Sequence, residues 1–330
     1  MMTESKRKPK VSIVISNYNG LRYGVLQKCL SSVLEIRHSN FEVILIDNCS
    51  NDGSIEYIRN NFRRSGVLVI RNTENNYVKG LNMALGQACG EYILYLNNDV
   101  EVDPDFLEPL VEALDHDEEV AVVQCKLIDA CSGKIDSLGE VIDVFGYFKS
   151  LGVGQDDPHG LISPFEVPCA NGSAFIVRRG ILLLIGSFDP LYYSGYEDAD
   201  MSLRVRSLCY KIITHPKSVV YHARGTTLLS ETMRVFSSYN FHKNRLTTLL
   251  KVHSVRRLTR VIPALVLFYI AEFFYMSTVK RKPRLGITRL QALFWVLKNL
   301  KHLVCERRKT QTKMKCDLTK FMSKRMLLHI

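Results

Sequence analysis

Short, wholly apolar runs alternate with stretches of helical spacing along the first 125 residues. Val11–Ile15, Phe41–Ile46, Val67–Ile70, Tyr92–Leu96 and Val120–Val123 each read as a buried strand. Between them, Leu26, Leu30, Val33 and Leu34 recur at helical spacing, and residues 78–89 read as a helix. A further helix is expected to begin near Pro104, because proline suits a first helical turn. This alternation predicts βαβ units in a mostly parallel sheet flanked by helices. Uninterrupted apolar strands fit a sheet covered on both faces. In such sheets, ligands sit beyond the carboxyl ends of the strands.

The pattern loosens after residue 125. Residues 132–170 read as irregular and glycine-containing, able to cover a site or shape a pocket. Ala174–Val177 reads as a strand, Glu197–Ser207 as a helix and Ser218–His222 as a last short strand. Then the character changes. Val261–Val279 holds 19 residues with one charge, Glu272. As a helix it would be about 28 Å long, close to the roughly 30 Å apolar core of a bilayer. Arg256, Arg257 and Arg260 precede it, and Lys280, Arg281 and Lys282 follow. A single crossing would leave one basic flank on each side, against the positive-inside tendency. A helix docked in the cytosolic interface or partly re-entrant is therefore favoured over a span. Leu290, Leu293, Phe294, Leu297, Leu300 and Val304 share a second helical face, with Arg289, Lys298 and Lys301 away from its centre. A basic amphipathic helix of this kind suits a membrane surface. The plainer alternative is that both stripes pack against the preceding domain.

Charge sharpens this division. Of 44 Lys+Arg and 33 Asp+Glu, 22 basic and only four acidic residues (Glu231, Glu272, Glu306, Asp317) lie in 231–330. The net +11 is thus the difference between a mildly acidic body and a strongly basic last third. Three parts are expected: a basic tail over 1–10, an α/β domain over 11–230 and a basic helical region over 231–330. The basic partner is expected to be an anionic membrane surface. Nucleic acid is not expected, because aromatic and basic residues do not interleave in a recognised pattern. The nine cysteines are scattered and form no C-x-x-C pair. That predicts reduced thiols and a cytoplasmic setting at the inner face of the cell membrane.

Polar clusters end the predicted strands. They are Asn17-Tyr-Asn19-Gly, Asp47-Asn-Cys-Ser-Asn-Asp52-Gly and Asn97-Asn98-Asp99-Val-Glu101. Each alone also reads as a turn. A carboxylate such as Asp47 at a strand end can accept hydrogen bonds from a nucleoside, and a short acidic turn such as Asp99–Glu101 suits a hard divalent ion bound with phosphate. Neither Gly-x-Gly-x-x-Gly nor a P-loop sequence occurs. Glu197-Asp198-Ala-Asp200 opens a helix, where acids favour the helix dipole. Clustered carboxylates also raise one another's pKa and make a general base. His222 is a candidate metal ligand because of the acids upstream.

Val11-Ser-Ile-Val-Ile-Ser-Asn-Tyr-Asn, Ile46-Asp-Asn-Cys-Ser-Asn-Asp-Gly-Ser, Asn75-Asn-Tyr-Val-Lys-Gly-Leu-Asn, Leu96-Asn-Asn-Asp and Tyr196-Glu-Asp-Ala-Asp-Met-Ser-Leu-Arg occur in that order. Together they resemble the successive signatures of family-two inverting glycosyltransferases with the GT-A fold, in the rhamnosyltransferase-like branch. The resemblance covers roughly residues 10–225. It implies transfer of a sugar from a nucleoside diphosphate, UDP or dTDP, to a hydroxyl of a glycan or lipid-linked acceptor. Asp198 would be the base, with Glu197 orienting it or binding the acceptor. Asn17, Asn19, Asp47, Asp52, Lys79, Asn82, Asn98, Gly172 and Ser173 would contact the nucleotide sugar. Asp99, with Glu101 and His222, would hold Mg²⁺ or Mn²⁺. The usual Asp-x-Asp appears here as Asn97-Asn98-Asp99-Val100-Glu101, and the Gln-x-x-Arg-Trp of processive synthases does not occur. Addition of one or a few sugars is expected. The rival readings are a non-catalytic nucleotide-sugar-binding or scaffolding subunit and a nucleotidyltransferase.

Overall fold

The computed structural model describes residues 10–157, 161–223 and 230–323. The basic tail over 1–10 lies outside the described residues except for Lys10.

The first half is built from β1 (Val11–Asn17), α1 (Val25–Leu34), β2 (Phe41–Asn48), α2 (Ser54–Asn61), β3 (Leu68–Asn72), α3 (Tyr77–Gln87) and β4 (Tyr92–Asn97). Then come β5 (Val100–Val102), α4 (Leu107–His116) and β6 (Val120–Asp129). The predicted strands and the 78–89 helix appear where the apolar pattern places them. Near Pro104 the chain instead makes a turn, in which Asp103 Oδ1 accepts from Asp105 N, and the helix starts at Leu107.

The central sheet runs β3–β2–β1–β4 in parallel, the order of a βαβ half. Successive residues on one strand serve opposite faces. Ile13 and Ile15 enter a core with Leu26, Leu30 and Leu110, while Val14, Ile44 and Ile46 enter another with Val78, Leu81 and Leu85. Beyond β4 the sheet continues through β11 (Ala174–Arg178), antiparallel to both β4 and β6, and then β12 (Lys211–His222), parallel to β6.

The stretch predicted as irregular carries β7 (Ile135–Ser137), β8 (Glu140–Asp143), β9 (Phe148–Ser150) and β10 (Phe165–Glu166). These strands are too short for a readable alternation. α5 (Arg179–Leu184) and α6 (Glu197–Ser207) follow β11. β12 is longer than its predicted last residues, because Pro216 sits in a register shift between His215 and Val219 and hides the first half of the strand.

The last third is helical: α7 (Glu231–Val252), α8 (Val255–Phe274, continued by a π-turn to Val279), α9 (Pro283–Lys298) and α10 (Leu300–Lys313), ending in β13 (Met322–Ser323). Leu246 and Leu249 of α7, Val261, Leu265 and Tyr269 of α8, and Ala292 and Val296 of α9 share one core. The 290–304 stripe is two helices, because the chain breaks at Asn299, whose Nδ2 bonds Trp295 O. Arg289 does not face out with the other basic residues. It is buried beside Glu272 at 3.3 Å.

The expectation of reduced thiols fails at one pair. Cys209, just after α6, forms a disulfide with Cys316, 107 residues away. That separation leaves no spacing signal in the sequence. Lys315 N and Cys316 N also donate to Ser207 O, and β13 pairs in parallel with β8. The end of the described chain is thereby fastened to the middle of the domain.

Candidate active site

Asn17 ends β1, Asp47 and Asn48 end β2 in register with it, and Asn97 ends β4. Parallel strands put these ends on one rim. Asp47 is fully buried, its Oδ2 accepting from Asn17 Nδ2 at 2.9 Å and its Oδ1 from Ser50 N at 3.0 Å. Asn17 Oδ1 accepts in turn from Asn98 Nδ2 at 2.7 Å. A Cβ at Gly20 would fall 2.4 Å from Asn98 Nδ2, so only glycine lets this chain of amides close. Asn19 Oδ1 accepts from Asn51 N, and Asp52 accepts from Arg22 N and from Ser54 at the start of α2. Asn17, Asn19, Asp47, Asp52 and Asn98 thus make one wall of turns, with neighbouring Asp99 at its edge.

Asp99 meets His222 because β5 pairs antiparallel to β12, setting Val100 opposite His222. His222 Nε2 lies 3.4 Å from Asp99 Oδ1, and Nδ1 lies 2.7 Å from Asp136 Oδ2. Burial opposes charge on this imidazole, yet the hydrogen bonds and charge of Asp136 and Asp99 push its pKa up to about 9. Asp136 fixes one ring nitrogen and leaves the other facing Asp99, the arrangement by which outer carboxylates orient metal-bound histidines. Asp99 Oδ1 is buried, and the His222 ring is the neighbour it faces. An oxygen and a nitrogen donor so placed fit Mg²⁺ or Mn²⁺, provided phosphate oxygens complete the shell. Among the described residues no group of three or more His, Cys, Asp or Glu is arranged to hold an ion. Glu101 does not join Asp99 and His222; it is half-exposed and pairs with Lys28 at 3.6 Å.

The third part of the site is the start of α6. Tyr196 precedes it with φ 70°, a left-handed conformation that costs a non-glycine residue about 1–3 kcal/mol. The turn is held in place by α7. Asn244 Nδ2 donates to Ser194 O at 3.0 Å and Gly195 O at 2.6 Å, and Thr248 Oγ1 lies 2.7 Å from the Tyr192 hydroxyl. The Tyr196 hydroxyl donates to Gly146 O, and its ring meets Phe148 and Phe241 edge-on. This turn sets Glu197 and Asp198 on the side of α6 that faces Gly172.

Asp198 Oδ2 accepts from Gly172 N at 2.7 Å and Oδ1 from Ala199 N at 2.8 Å. A Cβ on Gly172 would fall 2.9 Å from Asp198 Oδ2. Ser173 stands beside it, its O accepting from Asn97 N and its N donating to Asn171 Oδ1. Burial raises the Asp198 pKa against the pull of the two N–H donors. Glu197 Oε2 is buried without a hydrogen-bond partner, and burial followed by the Asp198 charge pushes Glu197 up to about 8.

Lys79 and Asn82 do not join this group. Lys79 is exposed and pairs with Glu74 at 2.7 Å, while Asn82 is spent on the Phe188 backbone, both donating and accepting. Three neighbours were missed: Asp136 beside His222, Tyr77 and Glu140. Tyr77 donates to Asn97 Oδ1 at 3.0 Å, and its pKa is raised by burial and then by the charges of Glu197, Asp198 and Asp99. Glu140 accepts from Asn171 Nδ2 at 2.6 Å and Ser150 Oγ at 2.7 Å, and burial pushes it up to about 7. Tyr77 lies inside the Asn75–Asn82 motif and was readable there. Asp136 and Glu140 stand in the stretch whose strands gave no pattern.

The Glycosyl transferase family 2 model matches residues 12–182, more than half of the chain. The chain belongs to this family. It is 28% identical over 229 residues to O-antigen biosynthesis protein RfbC of Myxococcus xanthus, covering 65% of this chain and 17% of that protein. It is 25% identical over 213 residues to inactive polypeptide N-acetylgalactosaminyltransferase-like protein 5 of Mus musculus, covering 60% of this chain and 49% of the other. The chain thus spans about half or less of the length of these relatives. Among solved structures, GalNAc-T7 with UDP, GalNAc and Mn²⁺ superposes with a TM-score of 0.60 at 19% identity, covering 91% of this chain and 58% of that one. The GT-A fold expected from the motifs is therefore present. The family match contains Asp47 and Asp99 but stops before Glu197, Asp198 and His222.

Proposed function

We propose that this glycosyltransferase transfers a sugar, with inversion, from a nucleoside-diphosphate donor to an acceptor hydroxyl, and that Asp198 is its base. The observation that carries the reading is the Glu197–Asp198 pair, with raised pKa values and no cation within bonding distance, on the same rim as Asp99 and His222. Two such carboxyls share one proton. Asp198 holds the N–H groups of Gly172 and Ala199, which favour its charge, and burial and that charge in turn push Glu197 higher. The proton therefore rests on Glu197 and leaves Asp198 ionised.

The acceptor hydroxyl gives its proton to Asp198 as its oxygen attacks the anomeric carbon. The bond from that carbon to the diphosphate breaks, and the electron pair leaves with the nucleoside diphosphate. A single displacement inverts the centre. The wall of Asn17, Asn19, Asp47 and Asn98 shapes the nucleoside side, and Gly172 and Ser173 line the sugar. Asp99 and His222 would hold Mg²⁺ or Mn²⁺, which when bound neutralises charge on the departing diphosphate. The GalNAc-T7 complex with UDP and Mn²⁺ supports that choice of cofactor. We favour a UDP- or dTDP-sugar donor, a glycan or lipid-linked acceptor, and addition of one or a few sugars.

The test is release of nucleoside diphosphate across a panel of nucleotide sugars and acceptors. Chelation by EDTA and Asp99→Ala are each expected to abolish release, with Mn²⁺ or Mg²⁺ restoring only the chelated wild type. Full activity of Asp99→Ala in EDTA removes the metal role. Tight donor binding without turnover on any acceptor selects the non-catalytic reading, which the inactive mouse relative makes worth testing. Pyrophosphate release from a nucleoside triphosphate selects a nucleotidyltransferase.

A further inference from the structure

Two faces of the last third are left uncovered by the fold. On α8, Val261, Leu265 and Tyr269 are buried against α7 and α9, while Leu267, Ile270 and Phe274 point the other way and are exposed. The same holds on α9, where Ile287, Phe294 and Leu297 are exposed and Ala292 and Val296 are buried. Leu267, Phe294 and Leu297 are each about 70% exposed, far beyond what single stray surface residues would explain. The one acid of the α8 apolar stretch, Glu272, is turned inward to Arg289 at 3.3 Å, so the outer face carries no charge.

Both ends of this face are basic. A cavity of about 460 Å³ at the start of α8 is lined by Ser254, Arg256, Arg257 and Arg260. Another of about 300 Å³ at the turn into α9 is lined by Arg234, Arg281, Lys282 and Arg284, with Glu231 as its single acid. Apolar surface between two cationic ends matches acyl chains between two sets of lipid phosphates.

The packing also decides orientation. Val255–Val279 is long and apolar enough to cross a bilayer. Its inner face, however, is joined to α7, which buries His242, Arg245 and Lys251 and grips the catalytic domain. Lipid can reach only the outer side. A helix lying flat places both basic ends at one headgroup layer, whereas a crossing helix separates them by the bilayer thickness.

We infer that the outer faces of α8 and α9 form one in-plane docking surface for an anionic lipid bilayer, with Arg256, Arg257 and Arg260 at one end and Arg281, Lys282 and Arg284 at the other. This surface stands apart from the transfer chemistry and does not depend on it.

The experiment is flotation of the full chain with neutral phosphatidylcholine vesicles and with vesicles containing phosphatidylglycerol. Trp295, the single tryptophan, reports depth through quenching by lipids brominated near the headgroup or near the bilayer centre. Binding is expected only with phosphatidylglycerol. It should weaken on the order of 100-fold in Arg256→Ala/Arg257→Ala/Arg260→Ala. It should be lost in Leu267→Asp/Phe274→Asp, with unchanged unfolding midpoints in both variants. Shallow bromines should quench Trp295 more than deep ones. Equal binding to both vesicles by wild type and the arginine variant overturns the proposal, as does undiminished binding by the aspartate variant. Stronger deep quenching makes α8 a span and overturns the in-plane placement. A concentration-dependent dimer that the aspartate variant dissociates, with no vesicle binding, assigns the face to a second copy instead.

Discussion

Two sides of one helix treat the same chemical group in opposite ways. At the cleft, Glu197 and Asp198 lie in a buried setting without a cation, and their pKa values are raised. Two residues on, Asp200 faces α7. Burial would raise it too, but Arg204 and Lys251 outweigh that and hold it below the ordinary carboxylate range. Arg204 Nε bonds its Oδ2 at 2.8 Å, and Lys251 Nζ lies 2.6 Å from its Oδ1 and 2.5 Å from Asp189. Burial alone therefore does not make a base. The absence of a cation on one side leaves the two carboxyls raised, as the proposed base requires, and the partners on the other side hold the helix in place.

Each side can be broken separately. Asp198→Asn should lower kcat by about 10²–10⁴-fold while leaving the donor KM near its wild-type value. Nucleoside diphosphate release measures both, and full turnover would remove Asp198 as base. Lys251→Met should act on the other side, leaving Asp200 and Asp189 short of a cation. It should cost about 3–5 kcal/mol of stability in denaturant unfolding. Equal stability would mean that the buried pairs do not hold the helix.

Acid and base should separate the two sides as well. A carboxyl whose pKa is raised by folding contributes most below its unfolded value near 4.5, and its contribution falls as pH rises toward about 8 for Glu197. Asp200, held low, does the reverse: its contribution is full above the unfolded value and is lost as pH falls through the folded one. Glu197→Gln should therefore gain stability over wild type as pH rises from 5 to 8, in unfolding midpoints taken across that range. An unchanged difference between the two proteins would show that Glu197 does not bind the shared proton. The smallest effect belongs to Asn244→Ala. Losing two hydrogen bonds to the turn before Tyr196 should cost about 1 kcal/mol each. It should lower kcat more than donor KM, and a loss confined to KM would place Asn244 in donor binding.

The legibility of the chain follows the same line. The polar rim was readable because Asn17, Asp47 and Asn98 stand at the ends of long apolar strands, so the period and the turn signal agree. α6 was readable from the acids that open it, as a helix dipole favours, although the helix proves buried on nearly every side. Lys79, Asn82 and Glu101 lie in or beside recognisable motifs, yet their side chains are engaged elsewhere. Motif spacing locates a backbone and leaves side-chain direction open. Glu140 and Asp136 escaped because strands of three or four residues show no alternation. The clamp of α7 escaped for another reason. Asn244, Thr248 and Lys251 recur at helical spacing, but a polar stripe normally faces water, and only the fold shows that this one faces the catalytic helix.

The fastening of the last described strand carries a consequence in time. β13 pairs with β8, which begins at Glu140, and Cys316 is bonded to Cys209 beyond the end of α6. Contacts of such long sequence separation form late. As the chain emerges from the ribosome, the turns around Asn17, Asp47 and Asn98 have all their strands within the first hundred residues, while the fastening beside α6 waits for residues past 310. The polar rim would therefore take shape well before the turn that carries Glu197 and Asp198 is fastened.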